Sequence, residues 1–158
     1  MKSIMIASAV AAMSIATPAF ANDFSGVRAE LTAGVDDVTR GVDTTDVTYG
    51  VTLGVDLPVT SKAIVGVEAN VDNVFDRRDI GASARVGYIV NKSTLVYAKG
   101  GYANYEDAFS RKLDGLRVGG GFEYKISNQT YIGAEYRYSD FDAGVGKHGV
   151  LAKLGIRF

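Results

Sequence analysis

The stretch Gly149-Val150-Leu151-Ala152-Lys153-Leu154-Gly155-Ile156-Arg157-Phe158 ends the sequence and decides the class of fold. From Val150 to Phe158 every second residue is apolar, whereas Lys153 and Arg157 share the other face with small residues. Alternation with a period of two is typical of a β-strand whose two faces meet different surroundings. A terminal aromatic residue is typical of a strand that ends at a bilayer boundary. The segment therefore predicts a strand of a membrane barrel, and the rest of the chain tests that prediction.

Seven further segments show the same alternation over roughly ten residues, which is the length of a tilted membrane strand. The strand predicted at Asp46–Leu57 is the clearest, because its apolar residues alternate strictly with Thr, Gly and Asp. The strand predicted at Thr94–Tyr105 is the least regular, and its pattern does not decide which face is turned outward. The predicted strands are Ser25–Val35, Asp46–Leu57, Lys62–Asp72, Ile80–Val90, Thr94–Tyr105, Leu116–Ile126, Ile132–Tyr138 and Gly149–Phe158.

The connections between these strands alternate between long and short. Short turns fall near 58–61, 91–93 and 127–129, and longer polar segments separate the other strands. Outer-membrane barrels have this arrangement, with short periplasmic turns, longer outer loops and an even number of strands. Closure leaves no unpaired strand edge in the hydrocarbon. The sequence thus predicts an all-β fold, an eight-stranded antiparallel up-and-down transmembrane β-barrel whose last strand pairs with its first.

The first twenty-one residues resemble a secretory signal peptide. Lys2 supplies the positive charge, Ile4–Ala16 is an apolar run, and Ala19-Phe20-Ala21 forms a small-residue cleavage site. The apolar run is too short to cross a bilayer as a helix. We therefore expect a signal peptide at 1–21 and a barrel at 22–158, with the mature chain beginning at Asn22.

The composition excludes several classes of function. The 17 Lys and Arg residues nearly balance the 18 Asp and Glu residues, which argues against nucleic-acid binding. The chain has no cysteine and one histidine, so neither a disulfide framework nor a transition-metal site is expected. No cofactor is predicted.

The residues opposite the apolar face distinguish a membrane barrel from a soluble, lipocalin-like one. Gly, Thr and Ser with few charges dominate this second face, and such residues suit a narrow lumen filled by its own side chains. Val, Ala, Leu and Ile form the other face, with Tyr and Phe toward the strand ends, as an aromatic girdle requires. This favours the outer membrane of a Gram-negative bacterium.

A set of charged side chains is predicted to point into the lumen. Because unpaired buried charges are costly, we expect salt bridges across the barrel and no continuous wide pore. The predicted lumen charge network comprises Arg28, Glu30, Asp56, Glu68, Arg85, Lys99, Arg117, Glu123, Lys125, Glu135, Arg137, Lys153 and Arg157.

Two motifs, Gly119-Gly120-Gly121-Phe122-Glu123-Tyr124 and Gly133-Ala134-Glu135-Tyr136-Arg137-Tyr138-Ser139-Asp140-Phe141, carry a resemblance to a known family. Together with the ending Gly155-Ile156-Arg157-Phe158, they resemble the opacity-type, OmpA-like small outer-membrane β-barrel proteins of the porin family. The resemblance implies insertion by the barrel assembly machinery, with Phe158 as the assembly signal. The peptidoglycan-binding domain of some relatives is not expected.

Three functions remain open at this point. The leading one is a structural barrel that contacts outer-membrane lipids and lipopolysaccharide, and whose polar loops bind a host or other surface ligand. The second is a narrow porin-like channel for small solutes or ions. The third is a lipid-modifying enzyme in which Ser139 and Asp140 approach His148, although a solvated histidine at a loop edge is the simpler interpretation.

The predicted loops offer two weaker binding sites. Arg77 and Arg78 at a loop tip would suit lipopolysaccharide phosphates, although a solvated tip is favoured. An acidic set in the loops would suit divalent cations bridging to lipid headgroups. That set is Asp36, Asp37, Asp43, Asp46, Asp72, Asp76, Asp79, Glu106 and Asp107.

Overall fold

A computed structural model describes residues 23–39, 44–73, 78–106 and 112–158. Its strands form one closed antiparallel barrel in which each strand pairs with its neighbours in the chain, so the predicted eight-stranded up-and-down barrel is confirmed. No described segment is a helix of the length and apolar character needed to cross a bilayer. The predicted signal peptide lies outside the described residues. The strands are β1 (Gly26–Thr39), β2 (Thr44–Pro58), β3 (Ala63–Asp72), β4 (Asp79–Asn91), β5 (Thr94–Glu106), β6 (Lys112–Lys125), β7 (Thr130–Phe141) and β8 (Val145–Arg157).

The barrel closes between β1 and β8, as the sequence predicts. Leu31 lies opposite Leu154, and Ala33 lies opposite Ala152. At the end of this seam the backbone N–H of Phe158 donates to the carbonyl oxygen of Val27 over 2.8 Å. The C-terminal strand therefore has a hydrogen-bonded neighbour on each side.

Apolar side chains point outward from every strand. On β5, where the sequence leaves the facing open, Val96 and Tyr102 are exposed, whereas Leu95, Tyr97 and Lys99 are buried in the lumen. Large apolar groups turned away from the barrel are stable only when lipid replaces water around them. The outer surface is therefore the lipid-facing surface.

The strands extend farther from the short turns than the sequence predicts. β1 continues to Thr39, and β8 begins at Val145 rather than Gly149. The polar segments predicted as loops at 36–45 and 140–147 are therefore largely strand. Beyond the hydrocarbon the outward-facing residues of a strand need not be apolar, so the alternation in the sequence is lost there. The backbone hydrogen bonds between the strands nevertheless continue. The one outer connection that is fully described, between β7 and β8, is the three-residue 3-10 helix Asp142–Gly144.

Apolar clusters lie at both ends of the lumen. At the end with the short turns, here called the inner end, the fully buried Phe24 packs with Ile64 and Leu95. At the outer end a second cluster includes Tyr105 and Phe141, whose ring centroids are 5.6 Å apart. These clusters narrow the access of water to the polar interior between them.

Candidate functional site

The interior nearer the inner end holds ten charged side chains, which we call the inner ion cluster. Five are basic and five are acidic, so the cluster is balanced in charge, and all are buried. All eight strands contribute: β1 and β8 supply two members each, and each of the other six strands supplies one. The members are Arg28, Glu30, Asp56, Glu68, Arg85, Lys99, Glu123, Glu135, Lys153 and Arg157.

Asp56 is the acceptor shared by three guanidinium groups in this cluster. Arg85 donates to it from Nε over 2.8 Å and from Nη2 over 2.5 Å. Arg28 and Arg157 each donate to Asp56 Oδ2 over 3.1 Å. Glu123 accepts from Arg85 over 2.5 Å and from Arg157 over 2.9 Å, so each of these two arginines binds both Asp56 and Glu123. Charge-assisted hydrogen bonds of this kind are stronger than neutral ones.

Arg28 extends the cluster to two further carboxylates, because its terminal nitrogens bind Glu30 and Glu68. Gly54 lies opposite Arg28 in the sheet and leaves room for the guanidinium. A Cβ atom at Gly54 would lie 2.7 Å from Arg28 Nη2. A larger residue at Gly54 would therefore have to displace the guanidinium group, which accounts for a glycine inside this strand.

Two lysines join the remaining carboxylates. Lys99 Nζ lies 2.6 Å from both Glu68 Oε1 and Glu135 Oε1. Lys153 Nζ lies 2.6 Å from Glu30 and 3.2 Å from Glu135. The ion pairs thus run without a break around the lumen.

Two buried tyrosines fill the space between these charges. Tyr97 donates its hydroxyl to Glu135 over 2.6 Å, and its ring lies 4.8 Å from the guanidinium carbon of Arg85. Tyr131 donates to Glu30 over 2.7 Å. Both rings add packing to a lumen that is otherwise polar.

The interior nearer the outer end holds a second balanced set, the outer ion cluster. Arg117 Nη2 donates to both oxygens of Asp79 over 2.8 and 2.7 Å, and its Nε donates to Ser139 over 2.8 Å. Lys147 Nζ lies 2.9 Å from Asp79. The charged members are Asp36, Asp72, Asp79, Arg117, Arg137 and Lys147, with Arg137 bound to Asp72 over 2.6 Å and Lys147 to Asp36 over 2.8 Å.

All predicted lumen residues except Lys125 lie in these two clusters. Lys125 lies at the inner rim, where its Nζ is 3.0 Å from Asp23. Sequence reasoning missed Asp36, Asp72, Asp79 and Lys147. Residues separated by an even number of positions along a strand point to the same face. Asp36 is separated in this way from Glu30, and Lys147 from Lys153, so both are expected to point into the lumen. That periodicity was the available signal.

The acidic set predicted for the loops is therefore partly wrong. Asp36, Asp72 and Asp79 are buried inside the barrel and paired with basic residues. Asp43, Asp76 and Asp107 lie outside the described residues. Among the residues that the structure describes, no group of three or more His, Asp or Glu side chains is arranged to hold a metal ion.

His148 lies within β8 on the outer surface, so the prediction of a loop-edge histidine is wrong. Its Nδ1 shares a 2.7 Å hydrogen bond with the hydroxyl of Tyr136, and its ring centroid is 4.7 Å from that of Tyr138. Ser139 is buried in the lumen and accepts from Arg117. Because Ser139 and His148 face opposite sides of the barrel wall, they do not form the nucleophile–base pair of a triad.

The predicted phosphate-binding arginines are only partly described. Arg77 lies outside the described residues. Arg78 is exposed, and its Nη2 lies 3.8 Å from Glu106 Oε2 on β5. At this distance and exposure the pair contributes little to stability.

The family described as outer membrane protein beta-barrel domain matches residues 6–158. This match and the closed barrel with its apolar outer surface establish the class of protein. The chain belongs to this outer-membrane β-barrel family, and its location is the outer membrane of a Gram-negative bacterium. No curated protein matches the sequence.

Solved structures support the same fold. Ail, the attachment invasion locus protein of Yersinia pestis, is 17% identical with a TM-score of 0.59, over 85% of this chain and 99% of that one. Neisserial surface protein A is 16% identical with a TM-score of 0.60, over 85% and 98%. The N-terminal β-barrel domain of Pseudomonas aeruginosa OprF is 13% identical with a TM-score of 0.57, over 85% and 99%. At sequence identities this low, the similarity to these three structures concerns the fold alone.

Proposed function

We propose that this protein is a structural component of the outer membrane. Its lumen is sealed, and it acts through the contacts of its outer surface and its outer connections. The observation that carries the proposal is the pairing of charges inside the barrel. The inner and outer ion clusters are each balanced in charge, and an apolar cluster lies beyond each of them. Ser139 and His148, the candidate catalytic pair, lie on opposite sides of the barrel wall.

The size of the barrel favours a sealed lumen over a channel. An eight-stranded barrel has an interior just wide enough to be filled by side chains. A permeating ion or solute would have to displace buried pairs such as Arg85 and Asp56. Separating one partner of a buried pair costs about 3–5 kcal/mol, and several pairs lie along the path.

Solute uptake by liposomes tests this proposal. Protein that is folded, as verified by a heat-modifiable gel shift, is reconstituted and the liposomes are diluted into iso-osmotic sugar or amino-acid solution. We expect swelling no faster than in protein-free liposomes, while a wide porin reconstituted in parallel gives rapid swelling. A swelling rate that rises in proportion to the amount of folded protein would favour the channel instead.

The proposed partners follow from the location. The apolar outer surface would contact membrane lipids, including lipopolysaccharide in the outer leaflet. Phe158 would be recognised by the barrel assembly machinery, because it is 70% exposed at the end of the strand that closes the barrel. A host or surface ligand would bind the outer connections, of which 40–43, 74–77 and 107–111 lie outside the described residues.

We also propose that residues 1–21 are removed as a signal peptide. Asp23 is exposed beside Lys125 at the inner rim, and the next residue, Phe24, is buried against Ile64 and Leu95. A mature chain beginning at Asn22 would therefore start on the periplasmic side. The mass of the protein purified from membranes tests the cleavage site, and retention of residues 1–21 would contradict it.

A further inference from the structure

A groove at the inner rim lies outside the two ion clusters and is not used by the proposed function. It runs between the N-terminal segment and two neighbouring short turns and has a volume of about 420 Å³. The half-buried Ile89 and the exposed Val90 give it apolar surface, Phe24 lines it from a fully buried position, and Lys62 and Lys92 also line it. The groove therefore combines an apolar surface with two cations.

Hydrogen bonds hold the two lysine-bearing turns in place. Ile89 N donates to the carbonyl oxygen of Lys62 over 2.8 Å, which joins the first turn to the end of β4. In the second turn the Asn91 side chain accepts from Ser93 N over 2.9 Å. Because β3 and β4 are neighbours in the sheet, Lys62 and Lys92 are presented on the same side of the barrel.

Charge at the groove favours an anion. Asp23 also lines the groove, but it is ion-paired with Lys125 over 3.0 Å. Lys62 and Lys92 are both exposed at the level of the short turns, where a phosphate in the inner leaflet lies. Lysines at this depth extend their ammonium groups toward the headgroups and attract anionic lipid.

The apolar walls distinguish a lipid from a free anion. Val90 is 53% exposed, and the next outward-facing residue, Tyr88, is also 53% exposed and belongs to the lipid-facing surface. An acyl chain can therefore leave the groove along this surface without crossing a polar region. A free phosphate ion would gain nothing from such walls.

We propose that this groove binds an anionic glycerophospholipid of the inner leaflet, with Lys62 and Lys92 as the residues that contact its phosphate. A basic residue near an anionic lipid surface contributes about 1 kcal/mol, which corresponds to about a fivefold change in affinity. Loss of both lysines is then expected to weaken binding by roughly 20- to 30-fold.

Native mass spectrometry of the full mature protein tests the proposal, with phosphatidylglycerol and phosphatidylcholine titrated separately into detergent micelles. The variants are the double substitution K62Q/K92Q and the control K112Q, which removes an exposed lysine at the outer end of β6. Folding of each variant is checked by the heat-modifiable gel shift. We expect a preference for phosphatidylglycerol that K62Q/K92Q abolishes and K112Q preserves.

Three results would overturn the proposal. One is equal binding of phosphatidylglycerol by the original protein and by K62Q/K92Q. Another is an equal loss in K112Q, which would mean that overall charge is responsible. The third is displacement of the lipid by millimolar inorganic phosphate, which would mark the groove as a site for a free anion.

Discussion

Arg85 on β4 donates from Nε and Nη2 to the two carboxylate oxygens of Asp56 on β2, over 2.8 and 2.5 Å, although these two strands do not pair in the sheet. This ion pair therefore links β2 and β4, two strands that share no backbone hydrogen bonds. Both side chains are completely buried. The wall of the barrel is thus held together by its β-ladder and, independently, by ion pairs across the lumen.

Replacing Arg85 with methionine is expected to destabilise the barrel by about 3–5 kcal/mol, because the change leaves Asp56 and Glu123 buried with fewer partners. Urea unfolding in lipid vesicles, followed by the gel shift of the folded form, measures the effect. Lys112→Gln serves as the control, since an exposed surface substitution usually changes stability by less than about 0.5 kcal/mol. A loss below about 1 kcal/mol for Arg85→Met would mean that the pair adds little.

The two ion clusters are expected to behave as independent units, because no ion pair within the described barrel joins them. Lys147→Met breaks the outer cluster as Arg85→Met breaks the inner one. The double variant should lose the sum of the two single losses to within about 0.5 kcal/mol, as is usual for separate sites. A larger discrepancy in the same unfolding assay would show that the clusters are coupled.

Gly155 is required by the ring of Tyr131, which lies over it on the lumen side. A Cβ atom at Gly155 would be 2.2 Å from Tyr131 Cζ, so Gly155→Ala must displace the ring that donates to Glu30. We expect a loss of about 1–3 kcal/mol, typical of overpacking. Gly100→Ala is the matched control, because its Cβ would meet no atom closer than 4.0 Å. Equal urea midpoints for the two variants would contradict this reason for the glycine.

Deletion of Phe158 is expected to impair assembly in cells, because the deletion removes both an exposed aromatic group and the hydrogen bond to Val27. Phe158→Ala keeps the backbone bond and separates the two contributions. Phe122→Ala removes another exposed phenylalanine from the lipid-facing surface and is expected to assemble normally. Membrane fractionation with the heat-modifiability gel measures the folded fraction, and equal fractions for all variants would exclude Phe158 as the signal.

The fold could be predicted because each strand in the hydrocarbon has two different faces. The contrast is strong wherever lipid lies outside and polar side chains lie inside, as along Val47 to Leu57. On β5 the contrast is weak because Leu95 and Tyr97 are themselves lumen residues. Only the hydrogen-bonded neighbours on β4 and β6 settle their direction.

The interior charges could be predicted only partly. Arg28, Arg85 and similar residues stand out because they interrupt apolar alternation within the membrane. Asp36 and Lys147 do not, because polar residues also occupy the outer face at the ends of their strands. Neither the pairing of Asp56 with three arginines nor the contact between Tyr131 and Gly155 is visible in one sequence. The first depends on which side chains meet inside the lumen, and the second depends on the register between β7 and β8.

Single-channel recording in a planar lipid bilayer tests the central claim, that the lumen is sealed, most directly. With a sealed lumen, folded protein is expected to give no unitary current steps above the lipid background across the range of voltages that the bilayer tolerates. Reproducible steps from the original protein whose amplitude changes in Arg85→Met would contradict it, because such currents would pass through the inner ion cluster.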